Sequence, residues 1–146
     1  MMIYGHSAGG HLAAAMVATD WPTLYPKAPP DLVPAGYAIS GIFDLTPLIG
    51  ITTNQDLRLD AEHARRVSPL FWPVAPGRVL DAVVGNLESS EFKHQSRTVA
   101  EVWRQGKAQT QYQEFSGNHF TVIDPLTDAA SAMVARIADL AQQLSR

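Results

Sequence analysis

The sequence predicts an α/β fold, a mostly parallel sheet with helices on both faces, and three observations carry that prediction. Short apolar, β-prone runs alternate with helical patterns in the order β-α-β-(loop and short helices)-β-α-β-α, which right-handed crossovers turn into a parallel sheet. The first run, Met1-Met2-Ile3-Tyr4, leads through Gly5-His6-Ser7-Ala8-Gly9 into an Ala-rich helix, so strand, tight turn and helix follow in direct succession. The chain has 146 residues, 46% of them hydrophobic and 17% charged, which is a single domain's worth (1–146) with enough apolar mass for a core.

Each element has its own signal. Ala8 to Thr19 reads as a helix through Ala8, Ala13, Ala14, Ala15 and Ala18, and with Leu12, Met16 and Val17 it is apolar nearly all round, so it is expected to be buried. Trp21 to Pro34 carries Pro22, Pro26, Pro29, Pro30 and Pro34, which argues against regular structure and for a stiff loop. Gly36 to Phe43 suits a buried parallel strand, placing Asp44 at its carboxyl end. From Leu45 to Arg66 the pattern gives short helical turns and a loop, with Asp60 as N-cap of a brief helix that Ser68-Pro69 ends. A Pro-punctuated patch, Ser68 to Gly77, leads into a Val-rich strand from Arg78 to Gly85. Ser90 to Gln105 is an amphipathic helix with Phe92, Val99, Val102 and Trp103 on one side, stopped by Gly106. Gln109 to Phe115 reads as an edge strand, and Thr127 to Leu144 as the closing helix.

Composition excludes several function classes. The net charge of −3 and the scattered Lys and Arg leave no basic face for nucleic acid. No charged segment precedes an apolar one in the manner of a signal peptide, and no run of about 18 apolar residues offers a membrane span; the chain is expected to be cytoplasmic. The absence of Cys removes disulfides, thiol nucleophiles and thiolate metal sites. His6 and His11 do not share a helix face, so neither a metal nor a cofactor is expected.

Gly5-His6-Ser7-Ala8-Gly9 matches G-x-S-x-G, a strained strand-to-helix turn that exposes a serine and is expected to need Gly on both flanks because neighbouring Cβ atoms would clash. A helix beginning there points its free N–H groups and positive dipole end at the serine, with the Ala8 N–H as one oxyanion donor. In open α/β sheets reactive groups gather at the carboxyl ends of strands. Two further ends offer partners: Glu88, just past the strand that ends at Gly85, and His119, in the loop Gly117-Asn118-His119-Phe120. Ser7, Glu88 and His119 follow the order nucleophile, acid, base. Imidazole ordinarily titrates near neutrality, so His119 suits the general base, with Glu88 fixing its tautomer. Glu88 equally suits the start of the following helix, and Asp44 is the rival acid; Asp81 lies inside its strand, and Glu91 reads as a helix-start charge. Trp21, Tyr25, Phe71 and Trp72 are candidates for a substrate pocket, or for packing. His63 and His94 read as surface positions.

Four stretches resemble the kynurenine formamidase (arylformamidase) branch of the α/β-hydrolases, near the hormone-sensitive-lipase-like esterases: Gly5-His6-Ser7-Ala8-Gly9-Gly10-His11-Leu12-Ala13, Ser40-Gly41-Ile42-Phe43-Asp44-Leu45 with Pro47-Leu48, Glu88-Ser89-Ser90-Glu91-Phe92 with Gln95-Ser96, and Asn118-His119-Phe120. The resemblance puts the nucleophile on Ser7, the base on His119 and the acid, usually Asp, on Glu88. It implies a partial α/β-hydrolase fold lacking the N-terminal strands, and hydrolysis of N-formyl-L-kynurenine through a formyl-enzyme, a step of tryptophan catabolism. A general short-chain carboxylesterase, or a non-catalytic hydrolase-fold fragment that works only with another chain, are the alternatives. The resemblance covers the C-terminal half of such a protein. The second oxyanion donor is expected in a missing N-terminal half, and that half or a homo-oligomer is expected to cover the open sheet edge.

Overall fold

The computed structural model describes residues 1–144. Four parallel strands, β1 (Met2–His6), β2 (Ala35–Ile39), β3 (Val79–Gly85) and β4 (Gln109–Phe115), lie in the sheet in sequence order. Their register sets Tyr4, Tyr37, Asp81 and Gln111 in one row across the sheet. β2 is buried at every residue and β3 at all but its first, as central strands covered on both faces must be, whereas β4 has no buried residue and forms one edge. β1 forms the other: among the described residues it pairs with β2 alone.

Helices α1 (Ala8–Ala18) and α5 (Ser90–Gln105) cover one face, where Ala13, Ala14, Val17, Val99 and Trp103 meet Ala38, Leu80 and Ala82 of the central strands. Between them in sequence come three short helices, α2 (Trp21–Leu24), α3 (Asn54–Leu57) and α4 (Ala61–Arg66), and after them α6 (Ala132–Gln143). On the opposite face α6 and a 3₁₀ segment, Thr121–Thr127, bring Met133, Leu140 and Val122 onto Tyr37, Ile39 and Val83. Asp81 points the same way and is matched by Arg136 of α6, whose Nε lies 2.6 Å from its Oδ2. Burial, and then the charge of Asp81, push the Tyr37 hydroxyl well above the usual tyrosine range. Among the described residues no helix is long and apolar enough to cross a membrane.

Alternation, parallel pairing and two-sided cover follow the sequence expectation; the departures are local. α1 is not buried all round, because contact with a flat sheet takes one stripe, Gly10, Ala13, Ala14 and Val17, and leaves Leu12 57% exposed. The proline-rich stretch still contains α2, since Pro22 falls in a first turn where the missing N–H has no partner to lose. β2 stops at Ile39 rather than Phe43, because Ser40 turns the chain at a φ of 49°. The closing helix starts only at Ala132, where the Ser131 hydroxyl accepts the Val134 N–H as a cap; the residues before it form the 3₁₀ segment around Pro125.

The two glycines that open α1 sit in different surroundings. A Cβ on Gly10 would stand 2.9 Å from both the Gly41 Cα and the Ile39 carbonyl oxygen, whereas one on Gly9 would meet nothing within 4 Å. Gly10→Ala is therefore expected to cost about 1–3 kcal/mol by forcing α1 off the sheet. Gly9→Ala should be neutral or stabilise by up to about 1 kcal/mol through helix propensity. Urea unfolding of the two variants checks the contrast.

Candidate active site

The carboxyl ends of the strands share one device. Past the end of β1 the Ser7 N–H donates to the Ile39 carbonyl of β2 at 2.9 Å, and past β2 the Ser40 N–H donates to the Val83 carbonyl of β3 at 2.7 Å. Past β3, the Asn86 N–H donates to the Phe115 carbonyl of β4 at 2.7 Å. The sheet ladder thus reaches beyond each of these three strands and holds the chain while it turns. Ser7 turns at φ 57° and ψ −117°, a conformation that L-residues avoid, and its carbonyl accepts the N–H groups of Gly10 and His11 as α1 begins. The tightness of the turn falls on Gly5, where a Cβ would lie 2.4 Å from the Gly9 carbonyl oxygen. Gly9, the other motif glycine, was expected to be equally required; its own Cβ position is open, and the second close approach belongs to Gly10.

Ser7, Glu88 and His119 come together. The His119 Nδ1–H donates to Glu88 Oε2 at 2.7 Å, and since a carboxylate oxygen only accepts, Nε2 is left with its lone pair and accepts the Ser7 Oγ–H at 3.0 Å. The Glu88 side chain is 1% exposed. Its Oε1 accepts the Gly85 N–H at 2.8 Å and the hydroxyl of the fully buried Ser40, so both carboxylate oxygens have donors. Gly85 and Gly117 allow the two loops to close on each other: the Leu87 N–H donates to the Gly117 carbonyl, which a Cβ on Gly85 would meet at 2.4 Å.

Two positioning residues are not singled out by the sequence. Ser40 holds the acid from 48 residues away, and the His6 Nε2–H donates to the backbone carbonyl of His119 at 2.7 Å from 113 residues away, its ring 4.7 Å from the His119 ring. Polar residues next to a motif are the only hint of either, and partners so remote in sequence do not register in spacing. His11 donates from Nδ1 to the Ile42 carbonyl at 2.8 Å and serves the fold. His94 is exposed as expected, but His63 is half-buried in α4.

Other candidates lie elsewhere. Asp44 stands beyond the turn at Ser40, and its carboxylate accepts the Thr46 N–H at 2.8 Å, so the rival acid is committed to a local turn. Trp21 donates its indole N–H to the Met16 carbonyl and packs on the core, Trp72 donates to the Arg66 carbonyl, Phe71 lies under the Arg65 guanidinium, and Tyr25 is 64% exposed. None of the four lines the cavity that His119 walls or the neighbouring one that shares Phe92 with it. One of those, about 340 Å³, is walled by Leu87, Glu88, Ser89, Phe92, His119 and Phe120. The other, about 370 Å³, is walled mainly by Ile42, Pro47, Leu48, Ile51 and Phe92. The Ala8 N–H, at the exposed first position of α1, takes no partner within the described residues.

No family model matches the chain. It is 33% identical over 135 residues to the kynurenine formamidase of Danio rerio and 32% identical over 136 residues to that of Salmo salar, in each case over 88% of this chain and 45% of the relative. Among solved structures it is similar to a candidate thioesterase from a Silicibacter species, with a TM-score of 0.71 and 33% identity over 90% of this chain and 48% of that one. It also superposes on an esterase from Thermogutta terrifontis at a TM-score of 0.60 and 22% identity, covering 94% of this chain and 52% of that one. The fold is an α/β-hydrolase fold in part, and the chain spans about half the length of the relatives it matches.

Replacing Ser40 tests how the acid is held. Ser40→Ala leaves a buried carboxylate oxygen short of one donor and should cost about 1–3 kcal/mol in urea unfolding. Ser40→Gly loses the same hydroxyl but relieves the positive φ, so it should cost less than Ser40→Ala. A neutral Ser40→Ala would show that the hydroxyl does not support Glu88.

Proposed function

We propose that this chain carries the nucleophile, base and acid of a serine hydrolase that cleaves a formamide or ester through an acyl-enzyme on Ser7, with N-formylkynurenine as the preferred substrate. The observation that supports the reading most is the continuous relay from Ser7 Oγ to His119 Nε2, and from His119 Nδ1 to Glu88 Oε2. Similarity to two kynurenine formamidases favours the formamide over other acyl substrates.

Ser7 Oγ attacks the formyl or acyl carbon as its proton passes to His119 Nε2, and Glu88 stabilises the imidazolium that results. The oxyanion receives the Ala8 N–H at the positive end of α1. His119 then returns the proton from Nε2 to the departing amine or alcohol, leaving the acyl group on Ser7. A water, deprotonated by the same nitrogen, attacks that ester; His119 returns the proton to Ser7 Oγ as the Oγ–acyl bond breaks, releasing the acid. No cofactor takes part in this chemistry.

Removing one oxyanion donor from a hydrolase costs about 10²–10³ in rate, so a second donor beside the Ala8 N–H matters. We place it on polypeptide alongside β1, whose outer backbone groups are unpaired among the described residues. The reading of the chain as a fragment that works only with another chain, or as a homo-oligomer, rests on the same edge.

A fluorophosphonate probe should label the chain at Ser7 and fail to label Ser7→Ala. Glu88→Gln, which disturbs the tautomer of His119 while keeping its size, should slow labelling by about 10⁴-fold. Equal labelling of wild type and Ser7→Ala would refute the assignment of the nucleophile. Comparing kcat/KM for N-formylkynurenine with that for a short-chain acyl ester decides formamidase against general carboxylesterase.

A further inference from the structure

The cavity that His119 lines and the neighbouring apolar cavity have only Ser89 and Phe92 in common. Ser89 is a small residue occupied as the N-cap of α5, where its hydroxyl accepts the Phe92 N–H. Phe92 is the large one. Its ring stands 4.6 Å from the His119 ring at a 40° tilt, and it is half-buried, walling both the cavity that His119 lines and the open apolar cavity bounded by the 42–51 segment.

One wall of the apolar cavity is anchored. Gln95, one turn along α5, accepts the Phe43 and Asp44 N–H groups on its Oε1 and donates from Nε2 to the Asp44 carbonyl and to Glu91. A buried amide with every position engaged anchors the segment that supplies Ile42, Pro47, Leu48 and Ile51. At about 370 Å³ it falls within the range of ligand pockets, roughly 300–1,000 Å³.

We propose that Phe92 is a specificity-determining residue: its ring bars the group that leaves through His119 from the apolar cavity, so the native site takes small or single-ring leaving groups and excludes fused-ring ones. The orientation rests on the proposed function, because His119 Nε2 is the atom that hands its proton to the leaving group. Removing the ring joins the two spaces and gives a second ring an apolar wall to bury against.

Binding measured on the Ser7→Ala protein tests this without requiring turnover. Phenol and 2-naphthol, as free leaving groups of one and two rings, are titrated by NMR. With Phe92 present the two should bind within about twofold of each other, since the second ring gains no buried area. In Phe92→Ala, 2-naphthol should bind at least about tenfold tighter and phenol unchanged, from the apolar area the second ring then buries. Phe92→Leu, the milder variant should Phe92→Ala fail to fold, should give a smaller gain of about threefold. Adding Ile51→Trp, at a half-exposed position lining the apolar cavity, should abolish the gain by filling that cavity. Unchanged 2-naphthol binding in a folded Phe92 variant, or a gain that survives Ile51→Trp, overturns the proposal. Either result leaves the Ser7 labelling experiment standing, so the two readings fail separately.

Discussion

The carboxylate of Glu88 is the point on which the site closes. A buried charge is tolerated only when its lone pairs are met by donors, and here the donors come from three different parts of the sheet. The Gly85 N–H belongs to the end of β3, the Ser40 hydroxyl to the turn after β2, and the His119 Nδ1–H to the loop after β4. One side chain therefore ties together loops that follow three neighbouring strands. Without it the Ser40 hydroxyl would lose its acceptor in a fully buried position, and the imidazole would be free to choose the other tautomer.

The serine is held by different means. Its strained backbone persists because both of its peptide groups are engaged, the N–H by β2 and the carbonyl by the first turn of α1, while the close approaches at Gly5 and Gly10 leave little room to relax. Strain at Ser7 and charge at Glu88 are thus offset by different contacts, which the turn after β2 and His119 both link. That imidazole is fixed at three places: Glu88 holds one nitrogen, His6 holds its backbone carbonyl, and the Phe92 ring lies against it. The opposite face of the sheet carries none of this. There Asp81 and Arg136 form a part-buried ion pair that secures α6.

Much of the architecture was legible because its signals are local. Ser90–Gln105 and Gln109–Phe115 are found with their expected bounds, since Ser89 caps the helix and Gly106 ends it within a few residues of the apolar pattern. Boundaries failed where a long-range constraint decided them. β2 ends early because Ser40 must turn to meet Glu88, and α6 starts late because Ser131 caps it after the 3₁₀ segment has packed Val122 on the sheet. At the site, Ser7, Glu88 and His119 could be singled out because each follows a strand. Ser40 and His6 could not, because a hydroxyl or imidazole reveals its partner only when the strands are aligned. The aromatic residues misled for a similar reason: ring content does not say which way a ring faces, and Trp21 and Trp72 spend their N–H groups on nearby carbonyls.

Glutamate where the resembling family usually carries aspartate has a structural reason. Glu88 sits in the turn that follows β3, its own N–H donating to the Gly85 carbonyl at 3.1 Å, so its side chain must bend back toward the strand to meet the Gly85 N–H while still reaching outward to His119. Those two demands fall on the two oxygens of one carboxylate, and the extra methylene of glutamate supplies the reach. An aspartate on this backbone would be shorter by one carbon–carbon bond, about 1.5 Å, enough to break one 2.7–2.8 Å hydrogen bond in satisfying the other. The longer arm also brings Oε1 to Ser40. Residue choice at Glu88 and at Ser40 is therefore one decision, and the turn after β2 is shaped by the acid that follows β3.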